Sequence, residues 1–127
     1  MIPNHIEKQF GTGSALITLR YDTKTGVLEK KYKNRIHGEW WKPHGDGIGT
    51  KGYKMIQING RKKYTHRVIW EIVHGHSIPE GMTLYLKKKQ GSLDPNNIYT
   101  LHQDTGDQIT LLDILKVKFE RDNDHEG

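Results

Sequence analysis

The sequence predicts an α+β domain, on three observations. Two β-rich runs flank a turn at residues 22–26, two alternating runs flank Asn59-Gly60, and apolar residues recur at helical spacing after His66 and near the C-terminus. Residues 1–13 carry Pro3, Gly11 and Gly13 with no clear period and read as a loosely held arm. Residues 15–21 and 27–32 read as the strands of a first hairpin, with Gly26 supplying the positive φ. Residues 34–51 hold Gly38, Pro43, Gly45, Gly47 and Gly49 and read as loop. The second hairpin, residues 53–58 and 62–65, turns on Asn59-Gly60. Val68, Ile69, Ile72 and Val73 then form one face of a short helix that Gly75 stops. Residues 82–86 predict a strand and 87–91 a basic turn. A short helix is expected from Asp94 as N-cap and Pro95 at the first helical position. A terminal helix over 107–121 has Asp107 as cap and Leu111, Leu112, Leu115 and Phe119 as its stripe, before a frayed acidic tail at 122–127.

A chain of 127 residues, 33% hydrophobic and 28% charged, fits one domain over residues 1–127 with a small core. No apolar run approaches the roughly 18 residues of a membrane span, and the N-terminus has no signal-peptide stretch, so an intracellular protein without a membrane partner is expected. Zero cysteines exclude disulfide scaffolds, thiolate metal sites and cysteine nucleophiles. The net charge of +5 is unevenly spread. Residues 20–89 hold 16 Lys/Arg against 6 Asp/Glu, whereas residues 90–127 hold 3 against 8. Such a basic segment attracts polyanions through phosphate neutralisation and counterion release. Tyr32, Trp40, Trp41, Tyr53 and Tyr64 are interleaved with the cations and offer surfaces for sugars and bases. Double-stranded DNA is the expected partner.

Three phrases in order, spanning roughly residues 18–101, resemble the HNH endonuclease family common in phage genomes, many of them homing-type nucleases. Residues 21–28 (YDTKTGVL) are similar to the family's Y-D-P-x-T-G-x-L. Residues 52–70 (GYKMIQINGRKKYTHRVIW) resemble its G-Y…G-x-x-Y-x-x-H-R-h-h-W run, where h is apolar. His74-Gly75, Pro79-Glu80-Gly81-Met82 and Leu93-Asp94-Pro95-Asn96-Asn97-Ile98 resemble its H-G…P-E-G-h…h-N-P-x-H/N-L. The resemblance implies a ββα unit holding one divalent metal, Mg²⁺ or Mn²⁺. An Asp or His on the strand and a His or Asn on the helix would ligate it, a neighbouring His would act as general base, and a middle Asn would fix the turn.

The chain departs from that pattern at the chemistry. Tyr85 and Leu86 stand at the strand ligand and base positions; counting back from Leu93 puts Tyr85 at the base position instead. Neither count finds a histidine. Leucine neither accepts a proton nor binds a metal, and a tyrosine of pKa about 10 is protonated at neutral pH. Asp94 stands where the middle Asn is usual, and Asn97 matches the helix metal ligand. His66 belongs to the H-R phrase and is a candidate supporting or catalytic residue. His74 and His76 have metal-like spacing but read as loop residues, His102 lies five residues past Asn97, and His37 and His44 fall in the glycine-rich loop. Arg61, Lys62, Lys63 and Arg67, with Lys87, Lys88 and Lys89, are expected to form one phosphate-facing surface. The expected function is therefore nucleic-acid binding by an HNH-type fold with impaired or lost nuclease activity, in the cytoplasm of an infected or host bacterial cell. The alternatives are an active metal-dependent endonuclease or nickase, and a phage effector that binds a host protein or an anionic nucleotide.

Overall fold

The computed structural model describes residues 1–49, 51–88 and 91–120. Among these the chain is α+β, with three small antiparallel sheets and two helices. Strands β1 (His5–Phe10), β2 (Ile17–Asp22), β3 (Leu28–Asn34) and β4 (Gly38–Pro43) form a four-stranded meander in that order. A second sheet holds β5 (Gly47–Ile48), β6 (Lys54–Ile58) and β7 (Arg61–Tyr64), and helix α1 (Thr65–His74) follows it directly. Strands β8 (Met82–Leu86), β9 (Ile98–His102) and β10 (Gln108–Thr110) make the third sheet, in order β10-β9-β8, and helix α2 (Leu111–Phe119) ends the described chain. No helix among the described residues is long and apolar enough to cross a membrane.

Both expected hairpins form, as β2–β3 and β6–β7. Asn59 and Gly60 take φ of 53° and 81°, the paired positive values that match a two-residue turn to the twist of its strands. Gly26 has φ 77°, and a Cβ there would collide with the backbone of Leu93 and Asp94, so this turn docks directly on the loop before β9. Tyr21 hydroxyl donates to the Leu93 carbonyl at 2.5 Å and ties the same two segments together. Helix α1 buries Val68, Ile69, Ile72 and Val73 as its period requires, and Gly75 ends it at φ 87°. Leu19, Tyr21, Leu28, Ile56, Ile98, Leu111 and Leu115 join that face in one apolar cluster fed by all three sheets and both helices.

Four expectations are corrected. Residues 1–13 are not a loose arm. Strand β1 pairs with β2 from His5–Asp22 to Phe10–Ile17, Ile6 and Phe10 pack on the core, and Thr23 hydroxyl donates to the Pro3 carbonyl at 2.6 Å. The stretch read as loop contains β4 and β5. Asn34 Oδ1 accepts from Ile36 N (3.0 Å) and His37 N (2.6 Å), so Gly38 belongs to a tight turn between paired strands. No helix starts at Asp94. Asp94 Oδ1 accepts from Asn96 N at 2.9 Å, and the chain then enters β9, because the β-forming Ile98 and Thr100 are fully buried opposite β8. The terminal helix starts later than Asp107. Residues 108–110 pair with β9, and Thr110 caps α2 in a reciprocal capping box with Asp113. The 122–127 tail lies outside the described residues.

Candidate nucleic-acid interface

Alternation along a strand decides which basic residues share a face. In β7, Arg61 and Lys63 pair with Ile58 and Ile56, whose side chains enter the core, so Lys62 and Tyr64 stand on the opposite face with Met55 and Gln57. The expected single surface through Arg61, Lys62 and Lys63 is therefore split. Lys62 borders a cleft of about 510 Å³ walled by Tyr53 and Tyr64. Those two tyrosines also bound a second cleft of about 210 Å³, which places His66 and Arg67 of α1 against Leu84, Tyr85 and Leu86 of β8. Lys87 and Lys88 line a separate recess of about 350 Å³ with Asp94 and Asn97. Lys89 lies outside the described residues. Among the described residues Arg61, Lys62, Lys63, Arg67, Lys87 and Lys88 make no ion pair, in contrast to Arg20 with Glu29 and Lys31 with Glu39.

The middle cleft is built of rings. His66 stacks on Tyr64 (centroids 5.4 Å, planes 26° apart) and sits 5.7 Å from Tyr53. Tyr53 meets Tyr64 edge to face at 5.5 Å. Tyr85, which also lines this cleft and is 42% exposed, stacks on Tyr99 at 5.6 Å and 26°. Tyr99 was not legible as the partner of Tyr85, because its place opposite Tyr85 follows only from the β8–β9 register. His66 is only 7% exposed, and its Nδ1 is buried with no hydrogen-bond partner. Burial first, and the Arg67 guanidinium second, push its pKa down to about 4. At neutral pH it is an uncharged imidazole and a weak base.

Asn97 does not sit on a helix. Its Oδ1 accepts from Lys88 N at 2.7 Å, and its Nδ2 donates to the carbonyls of Lys88 (3.1 Å) and Ser92 (2.7 Å). The side chain thus pins the loop between β8 and β9. The Asp94 carboxylate accepts from Ser92 Oγ at 2.6 Å and from Asn96 N. Leu86 packs against the core, and Tyr85 stacks on Tyr99. Among the described residues no group of three or more His, Asp or Glu is placed to hold a metal ion. The donor set does not fit the divalent metal that the resemblance implies.

Comparison with protein-family models, curated proteins and solved structures finds no match.

The other candidate histidines, His37, His44, His74, His76 and His102, make local contacts. His102 Nδ1 accepts from Asp104 N and Thr105 N, closing the β9–β10 turn. His74 stacks on Trp70, and its Nδ1 is buried; His76 lies 5.7 Å from it. His37 lies edge-on to Trp40, and His44 N donates to the Leu28 carbonyl. A second basic–aromatic surface was missed as geometry. Arg20 lies 4.3 Å from the Trp41 ring centroid on one face of the first sheet. On the other face Tyr32 stacks on Trp40 at 5.9 Å with the Lys30 ammonium above it. The two tryptophans are thus half-buried on the sheet's surface and absent from the core.

Proposed function

We propose that this chain is an HNH-type nucleic-acid-binding protein that does not hydrolyse its ligand with a metal. The observation that carries the binding half is the tyrosine wall shared by two clefts, flanked by Lys62 and Arg67, neither of which is neutralised by a carboxylate among the described residues. Unpaired cations beside half-buried tyrosine rings give the phosphate attraction and base stacking that nucleic acids require.

The finer reading assigns β8, the Asn97-pinned loop, β9 and α2 as the counterpart of the ββα unit. Asn97, expected at the helix ligand position, instead ties Lys88 to Ser92, the turn-fixing task that the family pattern gives to the position of Asp94. In that frame the helix contributes neither His nor Asn, since α2 reads Leu-Leu-Asp-Ile-Leu-Lys-Val-Lys-Phe and its Asp113 is spent in the capping box. The strand contributes Tyr85 and Leu86. A nuclease that lost ligand and base while keeping cations becomes a binder.

Gel shift of labelled duplex DNA together with plasmid nicking, each in Mg²⁺, Mn²⁺ or EDTA, tests the proposal. Binding in all three conditions without nicking is expected. Nicking that EDTA abolishes restores the active-nuclease alternative, and absence of any nucleic-acid binding moves the protein-partner alternative forward.

A further inference from the structure

The smaller cleft is lined by Tyr53, Tyr64, His66 and Arg67 on one side and by residues 84–86 of β8 on the other. Its volume of about 210 Å³ falls below the ~300–1,000 Å³ of drug-sized ligand sites. One flat heterocycle fits such a space. The rings are already ordered by one another: Tyr85 stacks on Tyr99, and Tyr64 contacts His66 and Tyr53. A ring entering the cleft therefore orders few side chains, which lowers the cost of binding.

We propose that this cleft receives a single unpaired nucleobase, with Arg67 at its edge contacting the attached phosphate. The inference rests on the nucleic-acid reading for its macromolecular ligand, although a free nucleotide presents the same chemistry. Arg67 is exposed, lines the cleft and makes no ion pair among the described residues. Lys62 and Lys51 lie along the adjoining cleft on the far side of Tyr53 and Tyr64, where the neighbouring phosphates of a strand would pass. His66 lines the cleft, is more than nine-tenths buried, and carries an enclosed Nδ1 that is unsatisfied within the protein, which a turn of the ring would offer to a base edge. A neutral imidazole offers one donor and one acceptor, which suits the mixed edge of a base.

The test uses 2-aminopurine as the base in three probes: its nucleoside 5′-monophosphate, a duplex carrying one unpaired 2-aminopurine, and the same duplex fully paired. Titrations run in EDTA at fixed salt, read by fluorescence and by anisotropy. Stacking one base on an aromatic ring changes affinity by roughly 5- to 150-fold. The unpaired duplex should therefore bind at least about fivefold tighter than the paired one and change its fluorescence on binding. Tyr85→Ala should erase that preference, Tyr85→Trp should keep it, and Arg67→Gln should weaken the unpaired probe. Tyr85 is an exposed strand residue, and circular dichroism confirms that each variant is folded. Tight binding of the monophosphate alone also supports the cleft, with a free nucleotide as its ligand, while ending the nucleic-acid reading. Equal affinity for paired and unpaired duplexes with no binding of the monophosphate overturns the inference and leaves the proposed function standing. A preference that survives Tyr85→Ala overturns it as well, because the base then lies elsewhere. Failure of all three probes to bind overturns both.

Discussion

Replacing Asn97 with alanine removes three hydrogen bonds at once from a side chain that is 8% exposed. Each such bond contributes about 1 kcal/mol net, so the loss is about 2–3 kcal/mol, the lower figure applying if water reaches the exposed Lys88 backbone. Unfolding entropy of about 2.1 cal/mol/K per residue makes that a fall in Tm of about 7–11 °C for a chain of this length. Asn97→Asp should be at least as damaging. The carboxylate still accepts from Lys88 N, but it sets a negative oxygen against the carbonyls of Lys88 and Ser92 where the amide donated. Differential scanning fluorimetry with and without an excess of Mg²⁺ or Mn²⁺ measures both variants against the parent. A residue that mainly ligates a metal behaves differently: Asp is then tolerated, and metal raises the Tm of the parent and the Asp variant. A fall of less than about 2 °C for Asn97→Ala, or stabilisation by metal that depends on Asn97, would refute the reasoning.

Three further outcomes follow from the same structure. The folded-state pKa of His66, about 4, lies below the ordinary value near 6.5, so the unfolded chain binds the extra proton between them. His66 therefore costs no stability above about pH 6.5 and takes about 2 kcal/mol by pH 5; urea titrations at pH 7 and 5 should show that loss shrink in His66→Phe, and an unchanged loss contradicts the burial account. Gly26→Ala should destabilise by about 2 kcal/mol or more, because it meets both a positive φ and the Leu93–Asp94 backbone; a variant with parental urea midpoint would show that this turn is not docked. Changing Lys87 and Lys88 to alanine should flatten the plot of log K against log salt by up to about 1.8, at about 0.9 for each duplex phosphate no longer neutralised; an unchanged slope places these lysines away from the phosphates.

Local signals were legible in the sequence wherever the local choice settled the structure. Asn59-Gly60 fixed the second hairpin because only a two-residue turn uses two positive φ values in that way. The α1 face was legible because four apolar residues recur at helical spacing and Gly75 ends the run. What failed was decided at a distance. Strand β1 was hidden because Lys8 interrupts the apolar alternation of Ile6 and Phe10; in the structure its ammonium lies 5.7 Å from the Phe10 ring. Asp94-Pro95 makes the same side-chain-to-backbone bond at a helix start and at an isolated turn, and pairing of Ile98–His102 with β8 chose the turn. Asn97 was legible as a residue that matters, but its role was not. Its partners are nine and five residues away, and only the closed loop reveals them. The same holds for Tyr85 and Tyr99, which sequence distance separates and strand register joins.

The central claim is binding without metal-dependent hydrolysis, and a single titration tests it most directly. Labelled duplex DNA is titrated with the protein across a salt series in EDTA and again in Mg²⁺, and the Mg²⁺ samples are then run on a denaturing gel. The expected result is that log K falls linearly with log salt in EDTA, that Mg²⁺ does not strengthen binding at matched ionic strength, and that the DNA emerges intact. Salt-independent or absent binding, or strand breaks that appear only with the metal, would contradict it.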